Sequence, residues 1–154
     1  MSDQIPILKK ASNPNFTIGL RLSFWDLPCA PDAITECLGI RPTRIGIKGA
    51  PRYHEKTGAR LRDDLVVKHN YWVLKSKDDK ECSIDEQWLE MQHMLVPKKP
   101  ELIELGKKYH IIFSCIVWSY KYQPGLLFPP SMLQFLADIG AELEIDPYPS
   151  SLES

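Results

Sequence analysis

Apolar and polar positions alternate from Phe16 to Trp25. Phe16, Ile18, Leu20, Leu22 and Phe24 fall on one side, and Thr17, Gly19, Arg21 and Ser23 on the other. A period of two over this length predicts a strand with one buried face. Pro28 and Pro31 break it, and Pro31 suits the first turn of a short helix through Ala33, Ile34, Cys37 and Leu38, stopped by Gly39. Ile40 to Ile47 reads as a second strand. The polar run from Lys48 to Asp64 follows, where Gly49, Pro51 and Gly58 forbid a continuous helix and predict a hairpin or loop. Strand character returns from Val66 to Leu74, with Trp72 and Leu74 opposite Tyr71 and Val73.

The clearest local signal comes next. Ser83 with Glu86 three residues on is a capping box, in which hydroxyl and carboxylate each take an amide left unpaired at a helix start. The helix it opens sets Ile84, Trp88, Leu89, Met91 and Leu95 on an apolar arc and ends before Pro97. Pro100 starts a short helix through Leu102, Ile103 and Leu105, with Gly106 as its predicted stop. Tyr109 to Tyr120 is apolar on both faces and predicts the middle strand of a sheet. Pro129 and Pro130 introduce a helix with Met132, Leu133, Leu136 and Ile139, closed by Gly140. The last strand points Ala141, Leu143 and Ile145 inward and Glu142, Glu144 and Asp146 outward.

Two stretches share one order of elements: strand, proline-marked crossover, helix ending in an apolar residue and glycine, then strand. The predicted class is α+β, an antiparallel or mixed sheet of about five strands with helices mainly on one face and ferredoxin-like strand-helix-strand units. A doubly wound sheet needs more crossover helices than this pattern supplies. Residues 1–15, polar and containing Asn13-Pro14, read as a tail, residues 16–148 as one domain, and 149–154 as a closing tail.

Length and composition fit that division. The chain has 154 residues, 44 % hydrophobic and 25 % charged, which is ordinary for a single globular domain with a real core. The opening residues lack the apolar run of a secretory signal, and no stretch approaches the ~20 apolar residues of a membrane span, so the expectation is a cytoplasmic protein. Cys29, Cys37, Cys82 and Cys115 contain no C-x-x-C pair and read as reduced thiols filling the core.

Motifs for chemistry are missing from the chain. Gly46 and Gly49 form neither a dinucleotide fingerprint nor a phosphate loop. His54, His69, His93 and His110 have no partner at metal-ligand spacing, and Cys37 lies on a helix arc with nothing to activate it. No catalytic residue, metal site or cofactor is predicted. The four tryptophans read as core, except that Trp25, beside Asp26 and Pro28 at a strand end, is placed to line a surface pocket.

Charge changes the picture. The total is −1, yet Arg41 to Lys75 holds nine basic and three acidic residues, a local +6 against −7 elsewhere, and Asp138 to Ser154 has no basic residue. One reading is a solvated hairpin kept soluble by its charge. The other is a surface for an anionic partner, carried by Arg44, Lys48, Arg52, Tyr53, His54, Lys56 and Arg60. A single aromatic at the tip argues against nucleic acid, which is met by several interleaved with cations.

The stretches "FTIGLRLSFWD", "PDAITECLGIRPT", "KGAPR", "YWVLKS" and "LADIGAELEIDPY", from about Phe16 to Tyr148, together resemble the bacterial domain of unknown function 4279. The resemblance implies no activity and no residue roles. By analogy with other small α+β domains, it suggests a non-enzymatic binding protein that neutralises a toxin as an immunity factor, using a charge-complementary protein interface. The alternative is a small-anion or nucleotide binder, or an enzyme, with its site around Arg41 to Arg62.

Overall fold

The structure is a computed structural model that describes residues 16–54, 56–76, 83–119 and 125–149. In chain order it runs β1 (Phe16–Phe24), α1 (Asp32–Leu38), β2 (Arg44–Gly46), β3 (Tyr71–Lys75), α2 (Ile84–Leu95), a 3-10 turn (Val96–Lys98), α3 (Lys99–Lys108), β4 (Ile111–Ser119), α4 (Pro130–Ile139) and β5 (Glu142–Pro149). The strands lie in the order β2-β3-β1-β4-β5, with β5 parallel to β4 and every other neighbouring pair antiparallel. The first four strands therefore have the ferredoxin-like order, in which β3 lies between the two strands that α1 joins. Helix α4 then serves as the crossover that a parallel pair requires, and adds β5 at the edge. Both expected strand-helix-strand units are present, one split and one adjacent.

Period-two patterning decides which face carries the helices. Leu20, Leu22 and Phe24 of β1, Trp72 and Leu74 of β3, and Ile111, Phe113, Cys115 and Val117 of β4 all point into one apolar cluster, and the buried residues of all four α-helices meet them there. The buried Trp72 donates its indole N–H to the Thr35 hydroxyl at 3.0 Å and Trp88 donates to Ser131 at 3.2 Å, so neither leaves a polar group unpaired in the core. Among the described residues, the opposite face carries no helix. Among the described residues, no helix is long and apolar enough to cross a membrane.

Several expectations change. β1 occupies the centre of the sheet, and β4 lies beside it; β4 is covered on both faces as its pattern implied, since Ile116 on the open side is only 2 % exposed. The second strand shrinks to Arg44–Gly46. Gly106 does not stop α3, which continues to Lys108. It sits where α3 meets α4, and a Cβ there would lie 2.1 Å from the Ile139 carbonyl oxygen. Gly39 and Gly140 do end their helices, at φ of 66° and 76°, a conformation in which glycine has no Cβ penalty. Cys37 is exposed rather than core, Cys29 is half-buried and Cys115 buried, while Cys82 lies outside the described residues. Leu89 and Leu133 are exposed on their helices, and Leu143 and Ile145 face the helix side at an open edge strand. The N-terminal tail, and the closing tail beyond Pro149, also lie outside the described residues.

One buried polar group has no signal in the sequence. The β3 ladder on β1 runs from Arg21 to Phe24 and Ser76 extends it by donating its N–H to the Leu20 carbonyl at 2.8 Å, which leaves a gap beyond it among the described residues. Gln87 of α2, 3 % exposed, fills the gap: its Oε1 accepts the Leu20 N–H at 3.2 Å and the Ser76 hydroxyl at 2.6 Å, and its Nε2 donates to the Ile18 carbonyl at 2.7 Å. The side-chain amide thus stands in for a strand backbone.

Candidate functional site

The long polar excursion between β2 and β3 folds back on itself. Gly49 N–H donates to the Val67 carbonyl at 2.8 Å, Val67 N–H to Ala50 at 2.9 Å, Leu61 N–H to Arg52 at 2.8 Å and His54 N–H to Ala59 at 2.8 Å. Isolated bridges join Pro51 to Val66 and Tyr53 to Arg60. The result is an irregular hairpin whose far end, Tyr53, His54 and Lys56 to Arg60, is exposed. Asn70 ties its base down. The Asn70 side chain accepts the Lys48 N–H at 2.8 Å and donates to the Leu27 carbonyl at 3.2 Å, while Leu27 N–H donates to the Asn70 carbonyl at 2.9 Å.

Between this hairpin and the helix-free face of the sheet lies a cavity of about 340 Å³. Five cations line it: Arg21 from β1, Arg44 from β2, Lys75 from β3, and Arg52 and Lys68 from the hairpin. Among the described residues, no carboxylate lines it. Apolar wall comes from Val66, Val67 and Val73, and aromatic surface from Trp25 and Tyr71, with His69 beside them. Cations gathered around one space raise the local positive potential and draw an anion to it.

The aromatic end is built by sequence features that looked incidental. Trp25 and Tyr71 stack with ring centroids 4.9 Å apart and planes 23° apart, and Trp25 remains 41 % exposed. Gly46 is their condition: a Cβ there would lie 2.0 Å from the Tyr71 ring, so only glycine lets that ring lie across β2. Asp26, the next residue along from Trp25, has φ of 54°, uncommon outside glycine, and its carboxylate meets His69 Nδ1 at 3.0 Å. The pair fixes the hairpin's return limb against the end of β1.

The rest of the open face has the opposite sign. Along β5, Glu142 pairs with His110, Glu144 accepts the Ser114 hydroxyl at 2.9 Å, and Asp146 accepts the Tyr148 hydroxyl at 3.0 Å. That last bond holds the Tyr148 phenol above its ordinary range. Trp118 stacks on Tyr148 at 6.1 Å. One sheet face therefore carries a cationic half over β2, β3 and β1 and an acidic half over β5.

Of the residues singled out by charge, Arg44 and Arg52 line the cavity. Lys48, Tyr53, His54, Lys56 and Arg60 do not; the last four occupy the exposed end of the hairpin, where His54 Nδ1 accepts the Lys56 and Thr57 amides at 3.2 and 3.3 Å. Trp25 lines the cavity as its position suggested. Arg21, Lys68, His69, Tyr71 and Lys75 were not singled out, and the available signal was strand alternation, which puts Arg21, Tyr71 and Lys75 on the face away from the core. Among the described residues, no group of His, Cys, Asp and Glu is arranged to hold a metal ion.

Residues 16–150 match the family described as a domain of unknown function, DUF4279, and the chain belongs to that family. No curated protein and no solved structure matches it.

Proposed function

We propose that this member of the DUF4279 family is a binding protein for an anion, held in the cationic cavity on the open face of the sheet. The observation that carries this reading is five cations converging from three strands and a hairpin on one space that, among the described residues, no carboxylate lines. Three of them are arginines, whose planar forks suit phosphate and carboxylate. Charges about 4 Å apart interact at roughly 4 kcal/mol at the effective dielectric of a protein surface, so a multiply charged anion gathers a useful affinity from several such contacts even after desolvation.

Thermal unfolding in the presence of phosphate, pyrophosphate, sulfate and citrate tests this. A ligand at 100 times its dissociation constant adds about 2.7 kcal/mol, which is roughly 5–11 °C for a domain of this size. The shift should vanish in Arg44→Ala/Arg52→Ala and weaken with salt. No shift with any anion would overturn the reading.

A second reading uses the hairpin's exposed end. Tyr53 is 56 % exposed there, bridged to Arg60, which does not line the cavity, and offers an anchor for an acidic protein such as a toxin. A toxin gene beside this one, and a complex of the two purified proteins that Tyr53→Ala weakens while anion binding is unchanged, support it. An isolated gene counts against it.

A further inference from the structure

Resting on the anion reading, we propose that the ligand is a nucleoside phosphate, bound as a single nucleotide with its base at Trp25 and its phosphates directed down the sheet. Strand register lays the cavity floor out in rows. Trp25 and Tyr71 form the first, one step beyond the Phe24–Trp72 pair; Ser23, Val73 and Arg44 share the second; Arg21 and Lys75 share the third. Successive rows are two residues apart along a strand, about 7 Å, so cations stand roughly 7 and 14 Å from the aromatic row. Arg52 and Lys68 face these rows from the hairpin.

A bare anion has no use for the aromatic end. A flat ring does: Trp25, stacked on Tyr71 with His69 beside it, is 41 % exposed on a cavity otherwise walled by valine and cation. The graded cations then call for charge that extends away from the ring, which a phosphate chain supplies and a lone carboxylate does not. The cavity, about 340 Å³, is at the small end of ligand-sized sites and holds one nucleotide. A polymer is disfavoured by the same face, because a strand continuing across β1 and β4 runs onto Glu142, Glu144 and Asp146 of β5.

Calorimetric titration of the full chain with pyrophosphate, adenosine and guanosine mono- and diphosphates, and a short single-stranded DNA oligomer separates the possibilities. Nucleoside diphosphates should bind about tenfold or more tighter than pyrophosphate, from stacking, and about tenfold tighter than monophosphates, from the third row of cations. Arg21→Ala should erase the advantage of di- over monophosphate. Trp25→Leu should erase the advantage over pyrophosphate, and Trp25→Phe should keep most of it. If pyrophosphate binds as tightly as the diphosphates in the unaltered protein, the nucleotide assignment fails and the anion reading stands. If no anion binds, both fail. If the oligomer binds far more tightly than any mononucleotide, the single-nucleotide assignment is wrong.

Discussion

Gly106→Ala separates a local argument from a tertiary one. Inside a helix, alanine is favoured over glycine by about 1 kcal/mol, so propensity alone forecasts a more stable protein. The geometry forecasts the reverse. The added methyl would lie 2.1 Å from the Ile139 carbonyl oxygen and 3.2 Å from its carbon, whereas ordinary contact starts at 3.4 Å. The obstacle is main chain at the end of α4 and cannot rotate away, so α3 and α4 must part by more than ~1 Å. A gap of that order forfeits a quarter to a half of the dispersion energy of the atoms facing across it. Those atoms include buried Leu102, Leu105, Leu136 and Ile139. Overpacking of this kind costs about 1–3 kcal/mol where side chains can yield, and more where backbone must. After the helix gain, a net loss of about 2 kcal/mol remains, or a melting temperature lower by roughly 4–8 °C. Urea unfolding should show an earlier midpoint at an unchanged slope. At Gly125 a Cβ would meet no atom of the described residues within 4 Å, so Gly125→Ala serves as the control and should stay within about 0.5 kcal/mol of the parent or gain slightly. A midpoint for Gly106→Ala that matches or exceeds the parent would refute the close approach of the two helices.

Gln87→Leu should cost about 1–3 kcal/mol although it makes α2 more apolar, because it removes the donor to the Ile18 carbonyl and the acceptor of the Ser76 hydroxyl and leaves the Leu20 amide with Ser76 Oγ alone; urea unfolding should show the earlier midpoint, and an unchanged midpoint would count against the account. Gly46→Ala should displace the Tyr71 ring and break its stack on Trp25, and the near-ultraviolet dichroism of that pair should fall while far-ultraviolet signal persists; an unaltered aromatic spectrum would sink the account. The Lys99 ammonium, bonded to Asp138 at 2.6 Å, holds that carboxyl below its ordinary 3.8. A depressed folded value means stability that is present above the unfolded value and lost as pH falls through the folded one, so Lys99→Met should reduce the stability difference between neutral pH and about pH 2. Burial pushes the Cys115 thiol up to about 11, so a thiol reagent at neutral pH should label exposed Cys37 in the native protein and reach Cys115 only on unfolding, as peptide mass mapping would show.

The fold was legible where one physical rule acted alone. Strand alternation in β1, glycine closing α1 and α4, and the Ser83–Glu86 box opening α2 are local devices, and each stands as its spacing implied. Sequence reasoning erred where a residue answers to a distant neighbour. Gly106 reads as a stop because helix interiors disfavour glycine; the reason for it lies on another helix. Nothing in the helix pattern singles out Gln87, because its partners, the Ile18 carbonyl and the Leu20 amide, lie on β1. Cys37 reads as core by residue type, yet the seven-residue α1 turns it outward. β4 reads as the centre from its double-sided cover, while the centre is β1, whose open-face Arg21 lines the cavity.

The same logic governs the site and the meaning of its charge. Counting charges along the chain finds the hairpin and misses Arg21, which comes from a strand more than twenty residues earlier, and it weights the exposed end above the base that closes the cavity. Only the fold sets the two poles apart. From β3 to β5 is three strand spacings, about 14 Å, and the Debye length at physiological salt is about 8 Å. At that salt the acidic ladder on β5 is largely screened from the cations over β2 and β3, so a ligand in the cavity meets positive charge on a protein whose total is −1. At about 0.01 M salt the Debye length is near 30 Å, and the acidic pole begins to repel the same ligand. Two trends therefore compete in a salt titration of anion affinity. Direct screening weakens binding steadily as salt rises, while masking of β5 strengthens it at the low end, so the affinity should flatten toward low salt instead of climbing without limit. Replacing Glu142 and Glu144 by glutamine should remove that plateau and leave the high-salt limb unchanged.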